Sequence, residues 1–154
     1  MIIIDYSAIA LASVFINKTN DEDMIRHMVL NTIRMYRTKF KKEYGEVVLA
    51  VDGMSNWRKE LFPQYKANRK KARDAKNLDW DETFRIVNLI REEIKENFPY
   101  KVICVEGCEG DDVIGTLVED SQEFGKNEPI MIIAADKDFI QLQKYNNVKQ
   151  FSPL

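Results

Sequence analysis

The 154-residue chain holds one histidine, two cysteines, six glycines and four prolines, and each scarcity removes a class of function. Cys104 and Cys108 are too few for a disulfide framework. With His27 as the sole histidine, a Cys/His zinc centre is poorly supplied, and no Ser/His/Asp nucleophile can be assembled around a histidine placed within a helical pattern. There is no glycine-rich phosphate loop, no internal repeat and no low-complexity linker. The apolar runs are strand-sized, so no segment is expected to span a membrane. The opening "MIIIDYSAIALASVF" lacks a basic n-region and carries Asp5, which argues against a secretory signal. These absences predict an intracellular, cytoplasmic protein with reduced thiols.

What is present is ordinary in bulk and uneven in detail. A chain that is 45% hydrophobic and 31% charged is globular in type, and its length suits one domain with a real core, residues 1–154. The net charge of −2 hides a dipole. Between Arg58 and Lys76 stand eight basic residues (Arg58, Lys59, Lys66, Arg69, Lys70, Lys71, Arg73 and Lys76) against Glu60 and Asp74. That segment is +6 and the remainder −8, which points to a polyanionic partner.

Four apolar runs, "IIID" (2–5), "VVLAVD" (47–52), "KVICVE" (101–106) and "IMIIAAD" (130–136), read as strands. Between them, Ile25, Val29, Ile33, Tyr36 and Phe40 recur at helical spacing after Asp21, with Gly45 as the stop. After Asp79, Phe84, Val87, Ile90, Ile94 and Phe98 do the same before Pro99, and Val113, Leu117 and Val118 suggest a third helix. The alternation predicts an α/β fold, a mainly parallel central sheet flanked by helices.

The strand-like runs end in acids: Asp5, Asp52, Glu106 and Asp136, with Asp138 close behind. Glu109, Asp111 and Asp112 fall in the loop after the third strand. In open α/β sheets the carboxyl ends of the strands form the ligand edge, so as many as eight carboxylates crowd one rim. Such crowding is unfavourable unless a divalent cation is held, and an all-oxygen site favours Mg²⁺, with Mn²⁺ as substitute. Two ions about 3.5–4 Å apart are a recurring device for phosphodiester hydrolysis.

Simpler readings compete. One Asp at a strand end is ordinarily a turn residue or helix cap, and Asp111 has that option. Glu106 and Glu109 compete for one role. A basic run is usually a solvated face, but Trp57, Phe62 and Tyr65 interleave this one, and aromatics beside Lys and Arg can stack bases. His27 and Cys104 are expected to be structural, the latter in the core.

"FPQYKANRKKAR" (62–73), "EGDDVIG" (109–115) and "AADKDFIQL" (134–142) together resemble the 5′-nuclease (flap endonuclease) family, and "YNNVKQFSPL" fits its T-even bacteriophage branch. The resemblance implies a PIN-like, resolvase-like N-terminal domain. It implies Mg²⁺-dependent hydrolysis of RNA primers and 5′ flaps of DNA during replication, with two ions in the complete enzyme. It assigns the metal cluster to Asp5, Asp52, Glu109, Asp111, Asp112, Asp136 and Asp138, and Asp111 stands where some relatives carry a neutral residue. Tyr65, Lys66 and Arg69 match an element of the family's arch, here about 57–78. That makes Lys66, Arg69 and Asp112 the catalytic candidates, and Arg58, Tyr65, Lys66, Arg69, Lys70, Lys71 and Arg73 the DNA-binding ones. Implied partners are DNA and RNA–DNA hybrids, with a replication clamp or single-strand-binding protein beside a monomeric enzyme. The family pattern continues past "FSPL" into a helix–turn–helix and a further metal-binding Asp, neither of which occurs in these 154 residues. A module that binds DNA structure without cutting is therefore the alternative. A haloacid-dehalogenase-type phosphatase is disfavoured, because Asp5 is followed by Tyr6 and Ser7, not by a second Asp two residues on.

Overall fold

Strands buried on both faces must alternate their side chains between two cores, and the three central strands of the sheet do so. The computed structural model describes residues 1–69, 78–123 and 127–153. Strands β1 (Ile2–Asp5), β2 (Val47–Val51), β3 (Lys101–Cys104), β4 (Ile130–Ile133) and β5 (Val148–Phe151) form one parallel sheet in the order β3-β2-β1-β4-β5. Ile2, Ile4, Leu49, Val51 and Ile133 face a core shared with helices α1 (Tyr6–Asn17), α2 (Glu22–Tyr44) and α4 (Trp80–Asn97). Ile3, Ala50, Ile130 and Ile132 face the opposite core, covered by α5 (Gly110–Glu123) and a 3₁₀ helix, Lys137–Lys144. A short helix, α3 (Trp57–Leu61), follows β2 at the carboxyl edge.

The helix starts are set by carboxylates that accept backbone N–H groups. Asp5 takes Ala8 N at 3.1 Å, Asp21 takes Met24 N at 2.8 Å and Asp79 takes Glu82 N at 3.0 Å. Gly45 ends α2 at φ +83°, where a side chain would be strained. Arg26 locks α2 to α4 by bonding Glu93 while also holding Glu22 and Asp23.

Strand order decides the site. The chain winds from β1 through β2 to β3, then crosses back to β4 on the other side of β1. The topological switch point therefore lies between β1 and β4, where open α/β sheets place their ligands. Asp5 and Asp136 flank it.

Several expectations are corrected. Phe84 and Phe98 follow the helical period but stand at the rim, 36% and 38% exposed; the buried face of α4 is Thr83, Ile86, Val87, Ile90 and Ile94. Cys104 is exposed, because β3 is an edge strand and ends there. The run 101–106 thus yields a shorter strand than its apolar pattern suggests. Helix α1, the 3₁₀ helix and β5 add to the elements that the sequence pattern predicts: α1 is apolar nearly all round and carries no amphipathic period. Among the described residues, no helix is long and apolar enough to cross a membrane.

Candidate metal and phosphate site

Four acids from separate elements lie near enough to one another around the switch point to act on each other's charge. Asp5 closes β1, and burial pushes its carboxyl up to about 6, reinforced by the charges of Asp52, Asp111 and Asp136 against the help of Ala8 N–H. Asp111, in the first turn of α5, is also raised, first by burial and then by Asp136, with Glu109 and Asp52 adding and Lys66 opposing. Asp52 Oδ1 accepts Gly110 N–H at 2.7 Å, which ties the end of β2 to the start of α5. Asp136 Oδ1 accepts Asp138 N–H at 2.9 Å and so opens the 3₁₀ helix.

Two glycines let these segments approach. A Cβ on Gly110 would sit 3.3 Å from Asp52 Oδ1. A Cβ on Gly53 would sit 2.5 Å from Val105 O and 3.0 Å from Cys108 O, while Gly53 N–H donates to Cys108 O at 2.8 Å. Both obstacles to a side chain at Gly53 are backbone, so neither can swing aside. Gly53→Ala is expected to cost about 1–3 kcal/mol of stability and to displace Asp52, with a urea-unfolding midpoint as the measurement. A midpoint equal to wild type would show that the two loops do not pack this closely.

Glu109 and Asp112 are engaged by cations from the basic segment. Arg58 forms two hydrogen bonds to Asp112, at 2.7 and 2.8 Å, and lies 3.5 Å from Glu109. These bonds hold the Asp112 carboxyl below the usual carboxylate range. Lys66 Nζ contacts Glu109 at 2.7 Å, and the Tyr65 hydroxyl donates to the same carboxylate at 3.0 Å. Burial works against the Lys66 charge, yet Glu109 and Tyr65 hold its ammonium above the ordinary lysine range. The Lys66 backbone adopts φ +55°, a left-handed conformation that a lysine reaches at some strain, so the contact is made at a cost in local geometry.

The expected residues therefore divide. Asp5, Asp52, Asp111 and Asp136 act on one another electrostatically, with Glu109 beside Asp111. Asp112 is bound to Arg58 and also accepts Glu109 N–H at 2.9 Å. Asp138 is exposed and lines a neighbouring cavity; Arg69 lines another. Glu106 stands apart, accepting the Ser55 hydroxyl at 2.7 Å. His27 is exposed on α2 beside Asn31. Lys70, Lys71 and Arg73 lie outside the described residues. Among the described residues, no three acidic, histidine or cysteine side chains form a ready-made ligand set. Two of the acids, Asp112 and Glu109, are instead paired with Arg58 and Lys66.

Two cavities flank Glu109. One, of about 400 Å³, opens between α1, α3 and α4; the other, of about 520 Å³, lies between α5 and the 3₁₀ helix. Sequence reasoning missed Gly53, Gly110 and the α4 residues Asn88 and Arg91 that reach the first cavity, since only the packing of α4 brings them there.

Residues 1–152 match the family model described as the 5′-3′ exonuclease N-terminal resolvase-like domain. The chain is 38% identical to ribonuclease H of Enterobacteria phage T4 over 159 aligned positions, covering 99% of this chain and 52% of that protein. The fold is similar to that of a T5 5′-exonuclease with bound zinc, at a TM-score of 0.71 and 20% identity, covering 99% of this chain and 55% of the other. It is equally similar to a T5 flap endonuclease in a complex with DNA and metal ions, at a TM-score of 0.72 and 20% identity, with 99% and 54% coverage. The chain thus spans about half the length of these relatives. A family match over nearly the whole chain, on a parallel sheet whose strand ends gather Asp5, Asp52 and Asp136, makes this chain a member of the 5′-3′ exonuclease N-terminal resolvase-like family.

Proposed function

We propose that these 154 residues form one catalytic domain of a divalent-metal-dependent 5′-nuclease that hydrolyses phosphodiesters in DNA and RNA–DNA hybrids bearing 5′ ends or flaps. The observation that carries the reading is the grouping of Asp5, Asp52, Asp111 and Asp136 around the switch point, with Lys66 acting on Asp111 and Arg58 bound to the neighbouring Asp112. The donor set is oxygen only, and its central member, Asp5, is under-neutralised, which fits Mg²⁺ or Mn²⁺. Asp5, Asp52, Asp111 and Asp136, joined by Glu109 and Asp112, would hold one ion, with Asp138 directed to a second. A divalent cation there supplies charge that lets an anionic phosphodiester approach carboxylates and polarises its bonds.

The chain's own groups do the remainder. Lys66 leaves Glu109 for the scissile phosphate, where a fixed ammonium stabilises charge that develops on the phosphate oxygens. Arg58 holds Asp112 and the start of α5 in place, and its guanidinium lies 4.5 Å from the centre of the Trp57 ring. Carboxylates at the strand ends accept the proton of the attacking water.

Cleavage of a labelled 5′-flap duplex in Mg²⁺ but not in EDTA is the expected result; no cleavage under either condition would overturn the reading. In the same assay Lys66→Ala should lower the single-turnover rate at saturating DNA by about 10²–10³-fold. A change in affinity alone would reduce Lys66 to an anchor. The second reading, a module that binds DNA structure without cutting, draws on the engagement of Glu109 and Asp112 by cations. It predicts tight flap binding with no turnover in either Mg²⁺ or Mn²⁺.

A further inference from the structure

Past the ends of β4 and β5 the backbone leaves the ladder, and its carbonyl groups need other donors. The two strands end opposite each other, at Ile133 and Phe151. Ala134 still donates its N–H to Phe151 O at 3.2 Å, but the carbonyls of Ala134 and Asp136 lie beyond the paired residues. One side-chain amide meets both. Gln150 Nε2 donates to Ala134 O at 3.0 Å and to Asp136 O at 2.7 Å. Its Oε1 accepts the amide of Gln143, on the 3₁₀ helix, at 3.1 Å. Both hydrogens of the Gln150 amide are therefore directed to the backbone of the turn that carries Asp136.

A glutamine is out of pattern at this place in β5. A period of two puts it on the face of Val148, which is buried in the second core, while Phe151 packs on the other face with Tyr36 and Phe40. An apolar residue would continue that face beneath the 3₁₀ helix, which packs against β5. The glutamine brackets the strand-end turn, and Asp136 Oδ1 in turn accepts Asp138 N–H at 2.9 Å. Gln141 adds a further amide, donating to Asp138 O at 2.8 Å. Asp136 is an acid whose charge acts on both Asp5 and Asp111. All of these amide donors are neutral. A lysine or arginine in their place would satisfy the same carbonyls but would also pair with the carboxylates, as Arg58 does with Asp112, in competition with a divalent cation.

We infer that Gln150 of β5 is a positioning residue for the metal-binding edge: its amide, oriented by Gln143, fixes the turn 134–136 and through it the carboxylates of Asp136 and Asp138, without supplying charge. The inference rests on the reading of these acids as a divalent-metal site and adds to it a residue that acts only through the backbone. Groups that hold a ligating side chain in place tune metal affinity, and losing one typically costs about 10–100-fold.

Two variants test this. Gln150→Met keeps the length of the side chain and removes both donors. Gln143→Met, at an exposed position, removes only the group that orients the amide, and keeps the test decisive if Gln150→Met melts too low to titrate. In EDTA, hydrogen exchange read by mass spectrometry should show residues 134–138 exchanging about tenfold faster in Gln150→Met, the effect of about one net hydrogen bond. A Mg²⁺ titration followed by the rise in melting temperature should then give a half-saturating concentration about tenfold above wild type. Gln143→Met should move both readouts in the same direction by less. A purely structural glutamine would lower the melting temperature in EDTA and leave the Mg²⁺ midpoint unmoved. That result, or wild-type exchange at 134–138 in both variants, would overturn the inference. A wild type whose melting ignores Mg²⁺ fails differently: it rejects the metal reading itself, and the metal role of Gln150 with it, whatever the exchange shows.

Discussion

Asp52→Asn is expected to lower single-turnover flap cleavage by at least about 10³-fold, near 4 kcal/mol of transition-state stabilisation, while binding in Ca²⁺ is retained or improved. The substitution is clean for a structural reason. Asp52 holds Gly110 N–H through Oδ1, and an asparagine keeps that acceptor, so the link between β2 and α5 survives. What is lost is a negative charge at the carboxyl edge, where Asp52 acts on both Asp5 and Asp111. A carboxylate facing a phosphate repels it, and its use lies in holding the cation that reverses the repulsion. Cleavage within tenfold of wild type, with unchanged Mg²⁺ dependence, would remove Asp52 from the site.

Asp5→Asn should stabilise the metal-free protein and abolish its stabilisation by Mg²⁺. The folded chain holds the Asp5 proton up to about pH 6, against an ordinary aspartate value of 3.8, chiefly because the group is buried among other acids. Between those values the folded state binds the extra proton, so metal-free stability falls as pH rises through that window and stays lowered above it. A shift of this size corresponds to about 2–3 kcal/mol, and in a domain of this length to roughly 5–10 °C in Tm. Asparagine carries no charge and caps α1 as well as aspartate does. Melting at pH 7.5 in EDTA should therefore show the variant above wild type. Added Mg²⁺ should raise wild type, since a ligand bound to the folded state stabilises it, and move the variant little. A variant that melts below wild type in EDTA, or gains as much from Mg²⁺, would show that Asp5 is no part of a strained acid cluster.

Much of the fold was legible because it is written locally. A strand buried on both faces reads as a short apolar run, and Asp21, Asp79 and Gly45 mark helix ends by caps that need only neighbouring backbone. The failures have the same origin. Helix α1 is apolar nearly all round, so no period distinguished it from strand or loop. Phe84 and Phe98 obey the period of α4 yet stand at its rim, because the burying face is chosen by what the helix packs against. Cys104 looked interior until β3 proved to be the edge.

The candidate site divides along the same line. By itself the sequence determined that acids close the strands, that the cations are gathered in one segment, and that the elements alternate as a parallel α/β fold requires. These are properties of spacing and composition, and they hold whatever the strands do next. Only the tertiary structure placed β1 between β2 and β4, which brings Asp52 and Asp136 within electrostatic reach of Asp5 from positions far apart in the chain. Only it separated Asp111, among the acids, from its neighbour Asp112, on Arg58, because consecutive residues of a helix point about 100° apart. It also brought Arg91 of α4 to the cavity that Lys66 lines, which no local pattern connects. Strand order and helix docking are settled by burial summed over the whole chain, and that sum has no signature in any one stretch of it.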